Sequence, residues 1–196
     1  MSATGRSDVR RADDFYATPE WCTRAILPYL HVSRGALDPC CGTGAILDVL
    51  RRAVGAAEYD TIRGIELDAD RARCASHNVV CADALELPSG MWGKPSLVVT
   101  NPPYRLAMQF VARALLEVES ERGVVAMLLR LNWLGSQARA SFHRTRPSEV
   151  YILPRRPSFT GGGTDAIEYA WFVWRNASPT GAGKWRILDV DARGES

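Results

Sequence analysis

The tetrapeptide Asn101-Pro102-Pro103-Tyr104 (the NPPY turn) has the residue types most directly suited to chemistry in this chain. It follows the apolar run 96–100, which is typical of a buried strand, and the carboxyl ends of such strands are where open α/β sheets bind ligands. The prolines lack backbone N–H groups and keep the asparagine out of the helical region. An amide beside bare carbonyls suits an exocyclic amino group, and the tyrosine ring suits stacking on a flipped or single-stranded base. A plain proline-rich connection between strand and helix is the alternative.

A glycine turn lies upstream, in residues 38–44, between an apolar pair and a helical pattern that begins at Ala45. Gly42 and Gly44 allow the backbone to approach a nucleotide-like ligand closely, with the amides of the following helix facing it. The third glycine of the dinucleotide fingerprint is absent, since Leu47 occupies its place. NAD and FAD are therefore disfavoured.

Two acidic residues end strand-like runs further along the chain. Glu66 follows the run 61–65, about twenty residues after the glycine turn, where an acidic side chain accepts hydrogen bonds from ribose hydroxyls. Asp83 follows the run 79–82 and is suitably placed for an adenine amino group. For Asp83, a turn-forming or helix-capping role is the alternative.

In type and order, these motifs resemble those of S-adenosylmethionine (SAM) dependent methyltransferases that act on amino groups. Upstream, the pattern Tyr16-x-Thr18-Pro19 resembles the extra SAM-contacting segment that precedes the glycine loop in DNA adenine methyltransferases, notably small phage and prophage forms. A helix start with Thr18 as cap and Pro19 in the first turn is compatible with that resemblance. The order of segment, glycine loop and NPPY turn is similar to the gamma arrangement of those enzymes. The stretch 153–174 also resembles the phage forms, although this similarity is less specific than that of the NPPY turn.

The resemblance implies roles for particular residues. The implied SAM-binding residues are Tyr16, Thr18, Pro19, Asp38, Cys40, Gly42, Gly44, Glu66, Asp83, Ala84 and Asn101. The implied catalytic residues are Asn101, Pro102, Pro103 and Tyr104, with the Asn101 side-chain oxygen and the Pro102 carbonyl accepting the two amino hydrogens of the target base. Tyr104 is expected to stack on the extruded base. Phe159 is a candidate for its opposite face, with core packing as the alternative.

The activity that the resemblance implies is methyl transfer from SAM to the exocyclic amino group of adenine in DNA. RNA amino groups would fit the same site, and Tyr-x-Thr-Pro is the main feature that favours DNA. Cytosine is a further alternative as the target base, although asparagine rather than serine at the head of the motif resembles the adenine enzymes. Protein glutamine methyltransferases share the NPPY turn but have a helical domain before the glycine loop, where this sequence has 37 residues. A non-catalytic nucleic-acid-binding subunit is the alternative from another class, and the complete set of motifs argues against it.

Length and composition set bounds on these hypotheses. The 196 residues, 46% of them hydrophobic, suffice for one domain with a substantial core. The net charge of +2 does not by itself indicate a nucleic-acid binder. Arginines are the candidates for phosphate contacts, each with an ordinary solvated role as the alternative. They are Arg6, Arg10, Arg11, Arg139, Arg144, Arg146, Arg155 and Arg156.

Cysteine and histidine usage argues against metal and disulfide chemistry. The five cysteines include no C-x-x-C, and the three histidines are scattered without ligand spacing. We therefore expect a reduced, cytoplasmic protein without a metal site. The sequence shows no signal peptide and no apolar span of about twenty residues, so no membrane association is expected.

Strand-like and helix-like segments alternate, which predicts an α/β fold with a mostly parallel sheet and helices on both faces. The predicted strands lie near 35–39, 61–66, 78–82, 96–100, 123–129, 149–153 and 167–174, and the predicted helices span 19–30, 45–54, 69–77, 106–118 and 135–143. Seven strands is the count that the Rossmann-like SAM-dependent methyltransferase fold implies. Residues 1–12 and 176–184 are predicted to be mobile, residues 13–196 to form one catalytic domain, and Gly161-Gly162-Gly163 to mark a flexible loop near the substrate edge or a plain connection.

Overall fold

The computed structural model describes residues 17–75, 78–119, 121–159, 166–176 and 183–189. The predictions for residues 1–12, Tyr16 and the glycine cluster 161–163 lie outside these ranges. The strands are β1 Ala36–Asp38, β2 Ile62–Glu66, β3 Val79–Cys81, β4 Leu97–Thr100, β5 Val124–Arg130, β6 Glu149–Ile152, β7 Tyr169–Arg175 and β8 Trp185–Ile187. The α-helices are α1 Glu20–Ile26, α2 Ala45–Ala53, α3 Ala56–Tyr59, α4 Ala69–Cys74, α5 Ala107–Glu117 and α6 Gln137–Thr145.

These strands form one sheet in the order β3-β2-β1-β4-β5-β7-β6-β8. Strands β1 to β5 pair in parallel, and β7 runs antiparallel to both β5 and β6. The carboxyl ends of β1, β2, β3, β4, β5 and β6 therefore meet at one edge, called here the carboxyl edge. The predicted α/β fold with a mostly parallel sheet is confirmed.

The predicted count of seven strands is wrong, because the structure has an eighth strand at the edge of the sheet. Strand β8 pairs in parallel with β6, with Val150 opposite Trp185. All three of its side chains are exposed, so no buried apolar run marks it in the sequence. Lys184, within the stretch predicted to be mobile, already accepts a backbone hydrogen bond from Val150.

The first helix differs from its prediction at both ends. Helix α1 begins at Glu20, and its N-cap is Pro19, without a side-chain hydrogen bond. The cap role considered for Thr18 is therefore wrong. The helix gives way to a 3₁₀ turn at Leu27–Tyr29, because Pro28 cannot donate the next helical hydrogen bond.

Alternating side chains of the central strands build one core on each face of the sheet. On β5, Val124, Ala126 and Leu128 belong to the core that includes Cys22 of α1 and Leu47 of α2. The intervening β5 residues belong to the opposite core, with Phe110 and Val111 of α5. Helices thus cover both faces, as predicted. None of the helices in the described part of the chain is long and apolar enough to cross a membrane.

Gly64 of β2 brings the glycine turn and α2 close to the sheet. A Cβ atom at this position would lie 2.7 Å from Cys41 Sγ and 2.8 Å from Leu47 Cδ1. Real Cβ atoms do not approach other atoms this closely, so any other residue here would force the side chains of Cys41 and Leu47 to shift.

Candidate active site

A cleft of about 200 Å³ opens at the carboxyl edge, beside the ends of β1, β2 and β4. The residues that line it are Ala17, Thr18, Asp38, Pro39, Cys40, Cys41, Thr43, Ala45, Ile46, Glu66, Leu67, Arg71, Ala82, Asp83, Ala84, Leu85, Asn101, Pro103, Arg105, Leu106 and Phe110. Most of the predicted SAM-binding residues are among them. Pro19, Gly42 and Gly44 are not part of this lining, and Tyr16 lies outside the described residues.

The glycine turn has a backbone shape that other residues rarely adopt. Gly42 and Gly44 have φ angles of 55° and 91°, in the left-handed region that favours glycine. Helix α2 begins directly after Gly44. The Cys41 N–H donates to the Ile65 carbonyl of β2 at 3.0 Å, which fixes the turn against the neighbouring strand.

Glu66 is the acceptor around which the turn is organised. Its side chain is buried, and Oε2 accepts a hydrogen bond from the Gly42 N–H at 2.8 Å. Oε1 accepts from the Asp68 N–H at 2.9 Å and from Arg71 Nε at 3.2 Å. Glu66 therefore holds the glycine turn as well as presenting a carboxylate to the cleft. Arg71 was not predicted from the sequence, where it is one of two arginines in the predicted helix after Glu66.

Asp38 is the most deeply buried acid of the site, with 1% of its surface exposed. Its Oδ1 accepts a hydrogen bond from the Cys40 N–H at 3.0 Å. Burial raises the pKa of Asp38 to about 7, and the neighbouring charge of Glu66 adds to this effect. The carboxyl group therefore changes protonation near neutral pH.

Asp83 is exposed at the cleft wall, and its Oδ1 accepts a hydrogen bond from the Leu85 N–H at 2.9 Å. This is the turn-forming role considered as an alternative. It is compatible with a ligand contact, because a carboxylate has several acceptor positions. Ala84 is buried beside it, and its carbonyl accepts a hydrogen bond from Trp92 Nε1 at 3.1 Å.

The NPPY turn follows β4 at the carboxyl edge, as predicted. The Asn101 amide lies between two hydroxyl groups. Asn101 Nδ2 donates to Thr18 Oγ1 at 3.1 Å, and the Tyr104 hydroxyl donates to Asn101 Oδ1 at 3.1 Å. The segment before α1 and the NPPY turn thus meet, although 83 positions separate them in the sequence.

Tyr104 lies in a cluster of rings and cations. The Arg130 guanidinium lies over its ring, with Cζ 4.8 Å from the ring centroid. The Tyr104 and Tyr169 centroids are 5.7 Å apart, and Phe159 packs edge-on against Tyr169 at 5.2 Å. The structure shows Phe159 in contact with Tyr169, and its role at the second face of a base stays a prediction. Arg130, a single cation at the carboxyl end of an apolar strand, was also not predicted from the sequence.

The candidate phosphate-binding arginines are divided between the two edges of the sheet. Arg155 follows β6 at the carboxyl edge and lies over Trp21 at 4.6 Å, whereas Arg156 pairs with Glu168 at 2.6 Å. Arg144 and Arg146 lie at the end of α6, just before β6 begins, and so near the opposite edge. Their position makes them poor candidates for contacts with a substrate at the cleft.

Arg139 and Arg105 lie closer to the carboxyl edge. Arg139 is in the first turn of α6, and its Nε donates to the Trp133 carbonyl at 2.8 Å. Arg105, which our sequence analysis did not single out, is exposed at the cleft wall directly after Tyr104. Arg105 and Arg155 are therefore the better candidates for phosphate contacts.

Burial favours the neutral thiol form of the cysteines in the cleft. All five cysteines are free, and burial raises the pKa of both Cys40 and Cys41 above the ordinary thiol value. Among the described residues, no three histidine, cysteine or acidic side chains cluster in a way that could hold a metal ion.

Comparison with known proteins finds similarity to solved structures but none to curated sequences. No family model and no curated protein matches the sequence. A modification subunit of a putative type I restriction enzyme from Vibrio vulnificus is 18% identical, with a TM-score of 0.65 over 93% of this chain and 49% of its own. The M protein of the type I restriction enzyme EcoKI (EC 2.1.1.72) is 16% identical, with a TM-score of 0.61 over 86% of this chain and 45% of its own.

A third structural relative is named as a SAM-dependent methyltransferase. A putative class I SAM-dependent methyltransferase from Listeria monocytogenes is 13% identical, with a TM-score of 0.62 over 87% of this chain and 65% of its own. The chain thus spans about half of the two restriction-enzyme subunits and about two thirds of the Listeria protein. Identities this low establish the fold and nothing finer. The chain has the Rossmann-like fold of SAM-dependent methyltransferases.

Proposed function

We propose that this protein is a SAM-dependent methyltransferase that transfers a methyl group to the exocyclic amino group of adenine in DNA. One observation carries the proposal: Asn101 of the NPPY turn lies on the wall of the same cleft as Asp38, Glu66 and Asp83. The acceptor for an amino group and the acceptors for a nucleoside cofactor therefore border one space.

The cleft fits SAM in the chemistry of its walls. Glu66 offers a buried carboxylate for ribose hydroxyls, and Asp83 offers an acceptor for an adenine amino group. Leu67 follows Glu66 at the cleft with 67% of its surface exposed, which provides apolar area for a flat ring. Gly42 and Gly44 let the turn before α2 pass close to a ligand. Tyr16, Pro19, Asp38, Cys40 and Ala84 complete the proposed cofactor-binding set, and Thr18 and Asn101 lie on the same cleft wall.

In the proposed reaction, the protein acts mainly by positioning. SAM supplies an electrophilic methyl group on a sulfonium that leaves readily. The Asn101 oxygen and the Pro102 carbonyl accept the two amino hydrogens, which draws the nitrogen towards tetrahedral geometry and directs its lone pair at the methyl group. Tyr104 stacks on the extruded base. Positioning and fixed dipoles supply most of the rate enhancement. The methylated nitrogen loses its surplus proton to solvent water, so no strong general base is needed.

DNA is the proposed substrate because two of the structural relatives are named as subunits of type I restriction enzymes, one with the class number EC 2.1.1.72. Three cations at the carboxyl edge suit contacts with a phosphate backbone, namely Arg105, Arg130 and Arg155. They suit RNA equally well, so the test includes both polymers.

The test is incubation with labelled SAM and, separately, DNA, RNA and a release-factor protein, followed by nucleoside and amino-acid analysis. We expect N6-methyladenine in DNA. Methylation of RNA, cytosine or glutamine instead would replace the proposal with the corresponding alternative, and no transfer to any of them would contradict it.

Asn101→Ala tests the proposed chemistry directly. Turnover should fall by roughly 10²-fold or more, because one preorganised acceptor is lost, while SAM affinity is largely kept. Asn132→Ala, at an exposed asparagine outside the cleft wall, is the matched control and should keep the parent rate. A parent rate in Asn101→Ala would show that the NPPY turn does not act on the amino group.

A further inference from the structure

Thr18 has a buried hydroxyl that the start of α1 does not use. It lies immediately before the N-cap, Pro19, and has 6% of its surface exposed. Its Oγ1 instead accepts a hydrogen bond from Asn101 Nδ2 at 3.1 Å. Burying a polar group is costly unless it has a partner, so this contact accounts for a threonine at the position.

The same contact bears on where the Asn101 amide is held. The terminal torsion of asparagine is broad, so its side chain keeps one position only where hydrogen bonds hold it. Thr18 receives the nitrogen end, and the Tyr104 hydroxyl donates to the oxygen end at 3.1 Å. The oxygen is thereby held on the side of Tyr104, where the proposed base stacks.

We propose that Thr18 is a positioning residue for Asn101, holding its side chain in place so that Oδ1 meets the target amino group. This inference rests on the proposed function. Without the Thr18 hydroxyl, one of the hydrogen bonds that hold the Asn101 amide is lost. Thr18 therefore acts on the methyl-transfer step through Asn101.

A cofactor contact is the competing role, because Thr18 also lines the cleft and the family resemblance assigns it to SAM binding. The two roles predict different measurements. A lost cofactor contact raises the dissociation constant of SAM and leaves the rate at saturating SAM unchanged. A lost positioning contact lowers that rate and leaves the dissociation constant unchanged.

Thr18→Val removes the hydroxyl and keeps the shape, and Thr18→Ser keeps the hydroxyl. In single-turnover methylation at saturating SAM, we expect Thr18→Val to be about tenfold slower than the parent, which is the scale of one lost hydrogen bond. Thr18→Ser should recover most of the rate. The dissociation constant of SAM, measured by calorimetry, should stay within about twofold for both variants, because the hydroxyl contact goes to Asn101.

Thr23→Val is the matched control. Thr23 is buried in α1, and its hydroxyl has no hydrogen-bond partner in the described structure. This variant should methylate at the parent rate. A similar loss of rate in both valine variants would mean that packing around α1, and not the Asn101 contact, limits the reaction.

A double-mutant cycle tests whether Thr18 acts through Asn101. Adding Thr18→Val to Asn101→Ala should leave the residual rate unchanged, because the residue being positioned is already gone. Additive losses would overturn the inference, as would a parent rate in Thr18→Val alone.

A readout without catalysis separates this inference from the proposed function. The side-chain NH₂ signal of Asn101, assigned by its absence in Asn101→Ala, should exchange slowly with solvent in the parent and in Thr18→Ser, and faster in Thr18→Val. Equal exchange in all three would overturn the positioning role. Protection without methyl transfer by the parent would contradict the proposed function alone.

Discussion

Replacing Asp38 by asparagine should change how the stability of this protein depends on pH. Asp38 ends β1 with 1% of its surface exposed, and its Oδ1 accepts the Cys40 N–H. Asparagine has the same shape and keeps an oxygen for that N–H. The substitution therefore removes the buried charge while leaving the contact in place.

The magnitude follows from the pKa of the buried group. Burial raises the pKa of Asp38 from 3.8 to about 7, so between these values the folded protein binds a proton that the unfolded chain has released. The free energy of unfolding therefore falls as the pH rises through this window, and it levels off above pH 7. With 1.36 kcal/mol for each pH unit, the ionised carboxylate destabilises the folded protein by about 4 kcal/mol at pH 8.

Urea unfolding of the parent and of Asp38→Asn, at steps between pH 4 and pH 8, measures this difference. The two proteins should be similar in stability near pH 4, and Asp38→Asn should gain on the parent up to pH 7. Asp60→Asn, which removes an exposed carboxylate, is the control, and its difference from the parent should stay small across the range. If the difference between Asp38→Asn and the parent is the same at pH 4 and pH 8, Asp38 does not hold its proton in this window and the argument from burial fails.

Three further substitutions test the site and its support. Glu66→Ala should weaken SAM binding in calorimetry by about 1 to 3 kcal/mol, and it should also lower the melting temperature because the Gly42 N–H loses its acceptor. Unchanged affinity in the folded variant would exclude Glu66 from the cofactor site. Tyr104→Ala should weaken binding of a DNA with an extrahelical adenine by about 1 to 3 kcal/mol, whereas Tyr104→Phe should keep most of that affinity; equal losses in the two would argue against stacking. Gly64→Ala should lower the free energy of unfolding in urea by about 1 to 3 kcal/mol, since the Cβ of the alanine would meet Cys41 Sγ at 2.7 Å. A stability equal to that of the parent would mean that the glycine turn shifts freely.

The fold was predictable from the sequence wherever a buried strand ends in a polar residue. The run 96–100 before Asn101 has an apolar centre, and the structure has β4 at Leu97–Thr100 with all four residues buried. Strand β2 likewise ends in the buried Glu66, with Arg63 as its one partly exposed residue. Strand β8 was missed because a three-residue strand with exposed side chains has no apolar pattern, and its place in the sheet depends on pairing with β6.

The candidate site was predictable as a set of residues but not as a set of contacts. Asp38, Glu66, Asp83 and Asn101 all border the cleft, as their motifs suggested. The partners that hold them were not visible, because a motif specifies spacing along the chain and a hydrogen bond depends on distance in space. The bond between Thr18 and Asn101 joins segments 83 positions apart.

The direction of each element decides which arginines lie near the cleft, and that direction is known only from the sheet topology. Arg144 and Arg155 look alike in the sequence as cations near the end of an element. Helix α6 runs away from the carboxyl edge and β6 returns to it, so Arg144 lies far from the cleft end of the sheet and Arg155 lies near it. A composition-based argument cannot make this distinction.

Gly64 on the strand does what the third glycine of the dinucleotide pattern does on the helix. In that pattern a glycine on the helix permits close packing of helix and strand, whereas here the helix carries Leu47 and the strand carries the glycine. The turn also takes its hydrogen bonds from this strand, through Ile65 and Glu66. The glycine turn is therefore held by β2 as well as by Asp38 of β1, the strand that precedes it in the chain. Its full set of hydrogen bonds forms only when β2 has paired with β1, so assembly of the central sheet precedes formation of the proposed cofactor site. A peptide of residues 36–53 alone should not hold the turn.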